Sequence, residues 1–346
     1  MRYLSVCSGI EAASVAWEFL GWTPVAFAEI EKFPSKVLAH HYPGVANLGD
    51  MTRFREWDIE RNAVDVLVGG TPCQSFSVAG LRKGLDDPRG NLALTFIAMV
   101  DHYRPEWVIW ENVPGVLSSS GGRDFGSFLG ALGQLGYGFA YRVLDAQYFG
   151  VPQRRRRVFV VAHSSGDSRR AAQVLFEPES LRGVHSQGEN KGKTSDRFTR
   201  SDETASGVWC LDHRCDWEEC GCWCIEDAYC PWCEEWTSGL HHTPFDEGLS
   251  CCGGWVKRIC GTLSDGAHMG GGLNGQDATS GRILVDCNNQ VRRLTPTECE
   301  RLQGFPDGYT NIMPETPDGP RYKALGNSMA VPVMRWIGSR VALATK

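Results

Sequence analysis

The chain has 346 residues, a net charge of −6 at pH 7 and 14 cysteines. That length can bury a large core and suggests two domains, and the lack of any apolar run of about 18 residues excludes a helical membrane span. The opening Met1-Arg2-Tyr3-Leu4-Ser5-Val6 is too short and too lightly charged for a secretory signal, so a reducing cytoplasm is expected, where cysteines serve metal binding or catalysis rather than disulfides.

Charge is unevenly distributed. Residues 201–250 hold twelve Asp and Glu against one Arg, a net of −11, which leaves +5 on the other 296 residues. An acidic insert therefore hides a mildly basic chain, and nucleic-acid partners stay open.

Residues 3–163 alternate strand and helix patterns. Tyr3–Cys7 reads as a strand, followed by Ser8-Gly9 and an amphipathic helix over 12–20. The turn at Ser8-Gly9 offers backbone N–H groups and a helix dipole to a polar ligand. Pro24–Ala28 is a second strand ending at Glu29, a carboxylate placed to accept from ribose hydroxyls. Glu11 stands where a dinucleotide fingerprint would place its second glycine, which favours a cofactor without phosphates. A proline-started helix spans 34–41, and Gly49-Asp50 closes a third βα unit.

The run 63–68 reads as a buried parallel strand entering Gly69-Gly70-Thr71-Pro72-Cys73-Gln74. Pro72 stiffens the backbone, so the Cys73 thiol is held at the strand's carboxyl end, where open α/β sheets bind ligands. Ser75–Gly90 carries glycines and charges without apolar periodicity and reads as a mobile active-site lid. A helix follows over 92–102, then a strand over 107–110 ending in Glu111-Asn112. Glu111 follows large apolar residues, so partial desolvation would raise its pKa and make it a proton donor. A helix over 125–135 and strands over 139–144 and 157–162 complete a doubly wound parallel sheet. Gln153-Arg154-Arg155-Arg156-Arg157 abuts the last strand, so Arg155 and Arg157 share a face that could hold phosphate or a base oxygen.

Together these residues resemble the DNA (cytosine-5)-methyltransferases. Seven motifs stand in that family's order: Ser5–Gly9, Pro72-Cys73-Gln74, Asp87–Gly90, Glu111-Asn112-Val113, Gln153-x-Arg155-x-Arg157, Arg292–Glu298 with Gly304–Asp307, and Gly326–Pro332. Cys7 replaces the family's usual phenylalanine and Glu11 its usual glycine. The resemblance covers 1–163 and 291–346. It implies an α/β, Rossmann-like catalytic domain that binds S-adenosylmethionine through Ser8, Gly9, Glu29, Asp50, Pro72 and Asn327. It also implies that Cys73 is the nucleophile, with Glu111, Gln74, Arg155 and Arg157 as catalytic partners. Ser77, Arg89, Gln153 and Thr262 would contact double-stranded DNA. The target base would be flipped out of the stack.

Residues 164–290 lie outside the resemblance, in the place of the family's target-recognition domain. Residues 210–260 hold ten cysteines, among them Cys220, Cys222, Cys224, Cys230 and Cys233. In a reducing cell that clustering favours structural zinc over a core of reduced thiols. The expected protein is a monomeric DNA-modifying enzyme from a bacterial or phage setting, with restriction–modification as one context. Two other readings stay open: a tRNA methyltransferase on the same scaffold, and an inactive, zinc-stabilised nucleic-acid-binding relative.

Overall fold

The computed structural model describes residues 1–72, 92–177 and 293–345 in full, and only the backbone of 209–210, 255–256, 283–285 and 291–292. The chain divides into two compact units, one of Met1–Glu177, Thr262–Gly272 and Thr295–Lys346, the other of Pro178–Gly261 and Leu273–Leu294.

The larger unit is built on a six-stranded sheet. Its strands are β1 (Arg2–Val6), β2 (Thr23–Ala28), β3 (Val66–Gly69), β4 (Trp107–Asn112), β5 (Gly138–Asp145) and β6 (Arg156–His163), in the order β2-β1-β3-β4-β6-β5. β2, β1, β3 and β4 run parallel, whereas β6 is antiparallel to both β4 and β5. The sheet is therefore mixed, not wholly parallel as the alternation suggested. Gly49-Asp50 does not close a third βα unit either. The segment before it makes a single bridge, Phe27 to Asn47, and Asp50 caps a 3-10 turn over Met51–Glu56.

Helices α1 (Ala12–Trp17), α2 (Lys32–His41), α3 (Leu92–Tyr103), α4 (Arg123–Gln134) and α5 (Ser168–Leu175) lie between or after the strands in sequence. Pro34 sits in the first turn of α2, where a backbone N–H has no intrahelical partner to lose. One face of the sheet, with Leu4, Val6, Leu67, Val108, Trp110, Val158 and Val160, packs on Phe96, Ile97 and Val100 of α3 and Phe128 of α4. The Trp110 and Phe128 rings stack 4.2 Å apart. Each such fully buried side chain contributes about 1.5–3 kcal/mol.

The chain then returns to this unit through α6 (Pro296–Gln303), α7 (Asp318–Asn327) and α8 (Val331–Thr345). Thr295 and Glu298 form a capping box at the start of α6, Pro296 fits its first turn, and Gly304 ends it at φ +80. α8 lies against α1: the Trp17 indole donates to Met334 O at 2.8 Å, and a Cβ on Gly338 would stand 2.3 Å from that indole nitrogen.

In the smaller unit, β7 (Trp209–Cys210), β8 (Trp255–Val256), β9 (Ile283–Val285) and β10 (Val291–Arg293) form an antiparallel sheet in the order β10-β9-β8-β7. No helix among the described residues is long and apolar enough to cross a membrane.

Candidate active site

Strand register brings the predicted residues to one edge of the sheet. Val6 pairs with Ala28 and with Gly69, and Gly69 pairs with Trp110. Cys7, Glu29 and Gly70, each one residue beyond its strand, and Glu111, next to last in β4, therefore stand on four neighbouring strands at the same carboxyl edge. β6 enters from that edge, because Asn112 pairs with Val158, which puts Arg157 beside the end of β4. A cleft opens there, lined by Ser5, Cys7, Ser8, Gly9, Glu11, Val68, Gly70, Glu111, Asn327, Ser328 and Met329.

Close packing sets the floor. A Cβ on Gly69 would meet Val6 Cγ2 at 2.6 Å and Val6 O at 2.7 Å, so only glycine lets β3 approach β1 this closely. A Cβ on Gly70 would stand 2.9 Å from Glu111 Oε2. Just beyond, the Trp110 indole donates to Thr71 Oγ1 at 3.0 Å and the Asn112 amide to Thr71 O at 2.9 Å. These two bonds pin the backbone leading to Pro72 and Cys73. The part played by Asn112 was not foreseen, although its place in the Glu-Asn-Val run marked it.

Glu111 and Arg157 form an ion pair at 3.0 Å, with side chains 12% and 14% exposed. Burial raises the Glu111 carboxyl above its ordinary value, and the guanidinium groups of Arg157 and Arg155 offset part of that rise. The expected proton donor thus stands in the kind of surroundings inferred for it, with one cation in contact.

Arg155 differs from expectation. It is buried, and its guanidinium donates to Gly326 O at 3.0 Å and Ser328 O at 2.6 Å. It braces the C-terminal end of α7, where Asn327 lies, through backbone carbonyls on either side of that residue. Burial pushes its pKa down to about 9. Gln153, expected at the DNA, is fully buried too, and its amide donates to Leu302 O at 2.6 Å. In both cases the partner lies about 150 residues or more away in sequence, beyond the reach of local pattern.

The loop between β1 and α1 has three left-handed residues, Cys7 (φ +49), Gly9 (φ +57) and Glu11 (φ +66). Gly9 N donates to Glu29 Oε2 at 2.7 Å, and Ser8 Oγ bridges to Ser5 O and Ala28 N. The helix dipole foreseen for a ligand is answered by the chain itself: Glu11 is the N-cap of a six-residue α1 and takes the Ser14 amide. Burial and the charges of Glu29 and Asp50 push the Cys7 thiol up to about 12, which disfavours its thiolate. Asn47 binds both backbone groups of Glu29 and the Gly49 amide, tying β2 to the Asp50 turn. Asp50 itself is exposed and accepts from Thr52 N. Ile30, 70% exposed beside Glu29, is an apolar surface that the sequence reading passed over.

Cys73, Gln74, Ser77, Arg89 and Thr262 lie outside the described residues, as do Cys220, Cys222, Cys224, Cys230, Cys233 and the expected lid. Among the described residues, no group of three His, Cys, Asp or Glu side chains is placed to hold a metal ion.

The family model described as C-5 cytosine-specific DNA methylase matches residues 1–207 and 262–342. A "DNA N-6-adenine-methyltransferase" of Escherichia phage P1 is 38% identical, over 99% of this chain and 61% of its own length, so this chain spans less than two thirds of that relative. The Type II methyltransferase M2.BsuMI of Bacillus subtilis is 28% identical over 99% of this chain and 75% of its own length. Among solved structures, the S. pombe Dnmt2 methyltransferase superposes with a TM-score of 0.59 at 17% identity, covering 100% of this chain and 99% of its own. A putative DNA modification methyltransferase from an E. coli prophage gives 0.56 at 16%, covering the same shares. These structural likenesses speak to the fold.

Proposed function

Because the chain belongs to the C-5 cytosine-specific DNA methylase family, we propose that it methylates carbon 5 of cytosine at a specific sequence in double-stranded DNA. The observation that carries this reading is the convergence of Glu111, Arg157 and the pinned Thr71-Pro72 backbone at one sheet edge.

S-adenosylmethionine supplies the methyl group. The cleft suits it, having no run of glycine amides for a pyrophosphate but a left-handed Gly9 turn bonded to the Glu29 carboxylate. Ser8, Gly9, Glu29, Asp50, Pro72 and Asn327 would hold it. Carbon 5 of cytosine becomes nucleophilic only after addition at carbon 6, and the Cys73 thiolate makes that bond. Glu111 protonates or hydrogen-bonds ring nitrogen 3, so that negative charge does not accumulate on the ring. Arg157 favours the thiolate and holds the exocyclic oxygen. After methylation, solvent water takes the carbon 5 proton, the double bond between carbons 5 and 6 re-forms and Cys73 leaves as the thiolate. The base must leave the duplex stack for this chemistry, with Gln74, Ser77 and Arg89 at the opening.

The printed name of the phage P1 relative specifies adenine N6. An exocyclic amine attacks a methyl donor directly and needs no thiolate, whereas methylation at carbon 5 needs a nucleophile on carbon 6, a role that Cys73 would fill. Nucleoside mass spectrometry of DNA from cells expressing the protein tests this. The expected product is 5-methylcytosine, which bisulfite sequencing then places in a sequence. N6-methyladenine alone, or methylated tRNA with unmodified DNA, would overturn the proposal.

Glu29→Ala should weaken S-adenosylmethionine binding by on the order of 1.5–3 kcal/mol, through lost charge-assisted hydrogen bonds. Asp50→Ala should act in the same direction, and neither should alter sequence preference. Calorimetry showing unchanged affinity in both variants would remove them from the pocket. In the recognition domain, the ten cysteines of residues 210–260 are expected to hold at least one zinc ion, with Cys230 and Cys233 among its ligands. Elemental analysis should find zinc near or above one per chain. The double change Cys230→Ser, Cys233→Ser should lower that ratio and weaken DNA binding while cofactor binding stays close to wild type. A metal-free, fully active protein would reduce the cysteines to packing.

A further inference from the structure

The cofactor loop contains a carboxylate that the chemistry above does not use. Glu11 is 1% exposed, yet it is one of the residues that line the cleft. Three donors converge on it: Ser5 Oγ at 2.8 Å, Ser14 N at 3.2 Å and Ser14 Oγ at 3.1 Å. Ser14 Oγ is in turn 2.5 Å from the Tyr3 hydroxyl. On the other side of the loop the Tyr309 hydroxyl donates to Ile10 O at 2.9 Å. The residue's own backbone is left-handed, at φ +66 and ψ +59, a conformation that costs most side chains energy.

We infer that Glu11 is a positioning residue for S-adenosylmethionine: its carboxylate clamps Ser5 and Ser14, holds the Cys7–Glu11 turn, and thereby places Glu29 through the Gly9 amide. The inference rests on the cofactor reading of this cleft. Its chain of contacts is continuous, from Glu11 to the fixed turn, from the turn to Gly9 N, and from Gly9 N to Glu29 Oε2. A plain N-cap would need one acceptor oxygen bonded to one amide. Here both oxygens are engaged and a hydroxyl from β1 is recruited as well. Burial pushes the carboxyl up to about 7, so the group is kept at a cost in stability that rises with pH. A solvent-facing serine or asparagine cap would avoid that cost.

A series at this one position tests the role. Steady-state kinetics on a DNA substrate gives KM for S-adenosylmethionine and kcat, and calorimetry with S-adenosylhomocysteine gives affinity without turnover. Glu11→Gln keeps the shape and one acceptor oxygen and should stay within about threefold of wild type in both affinities. Glu11→Gly relaxes the backbone but removes the clamp. It should raise KM and the dissociation constant tenfold or more, with a smaller change in kcat. Glu11→Ala loses both and should be weaker still. If Glu11→Gly binds like wild type, backbone freedom alone suffices and the inference falls. If kcat or the active fraction falls at unchanged KM, Glu11 is merely structural and the inference also falls. Should Glu11→Ala not fold, the glycine and glutamine variants decide alone. Wild type is measured first, and its failure to bind either compound would instead overturn the cofactor reading and this role with it.

Discussion

Glu111→Gln should lower kcat/KM for methyl transfer by about 10²–10⁴-fold, the range over which a positioned acid contributes. Glutamine keeps the shape that fits 2.9 Å from a Cβ position on Gly70, so the strand edge should survive. The change removes the transferable proton and the partner of Arg157 together. The pH dependence gives a sharper signature. Burial raises the Glu111 carboxyl, with Arg157 and Arg155 opposing. The folded protein therefore keeps this proton to higher pH than the unfolded chain does. That contribution to stability is full below the ordinary carboxylate value and disappears as pH rises through the raised one. Activity that depends on the same proton should decline over the same interval. Wild-type kcat/KM should show this descending limb and the glutamine variant should lack it. A glutamine variant with wild-type rate at neutral pH would exclude Glu111 as the acid.

Cys73→Ser is expected to have the larger effect, a loss of turnover on the order of 10⁴-fold or more with DNA and cofactor binding retained. A hydroxyl is far less ionised and less nucleophilic than a thiol, and no other residue replaces a covalent nucleophile. The backbone before it is held by Trp110 and Asn112 through Thr71. Substitution at Cys73 should therefore leave its surroundings in place. A DNA duplex with 5-fluorocytosine at the target should trap wild type covalently, since fluorine cannot leave as a proton. Peptide mapping that puts the adduct on a different cysteine would defeat the assignment, and Cys7 is the instructive comparison because its thiol is held up near 12.

The elements that positioned these groups were legible because they are local. Apolar runs entering Ser8-Gly9, Gly69-Gly70 and Glu111-Asn112 marked β1, β3 and β4, and the register confirms that their ends coincide. Strand direction was not legible, because period-two alternation reads the same both ways. β6 therefore passed for one more parallel strand although it runs against β4. The segment before Gly49 looked like a strand by its place in the alternation, but it has no long apolar run and forms one bridge. Polar side chains were harder. In sequence, Arg155 and Arg157 are equivalent members of one basic run. Only the fold separates them, by giving Arg155 the carbonyls of Gly326 and Ser328 and Arg157 the Glu111 carboxylate. Glu11 looked like a departure from a glycine pattern, and its three donors became visible only once β1 and α1 were in place.

The seating of α8 on α1 bears on how the chain comes off the ribosome. The Trp17 indole and its acceptor, Met334 O, are 317 residues apart in sequence. At about 5–20 residues per second, synthesis separates them by about 15–60 s. During that interval the first helix of the cofactor loop has been made, but the surface that covers its tryptophan has not. The first strands can pair as they emerge, while Trp17 waits as an open apolar face. Completion of this cleft is thus tied to the synthesis of α8, and a chain halted before α8 carries a sticky, unfinished pocket for chaperones or proteases to find.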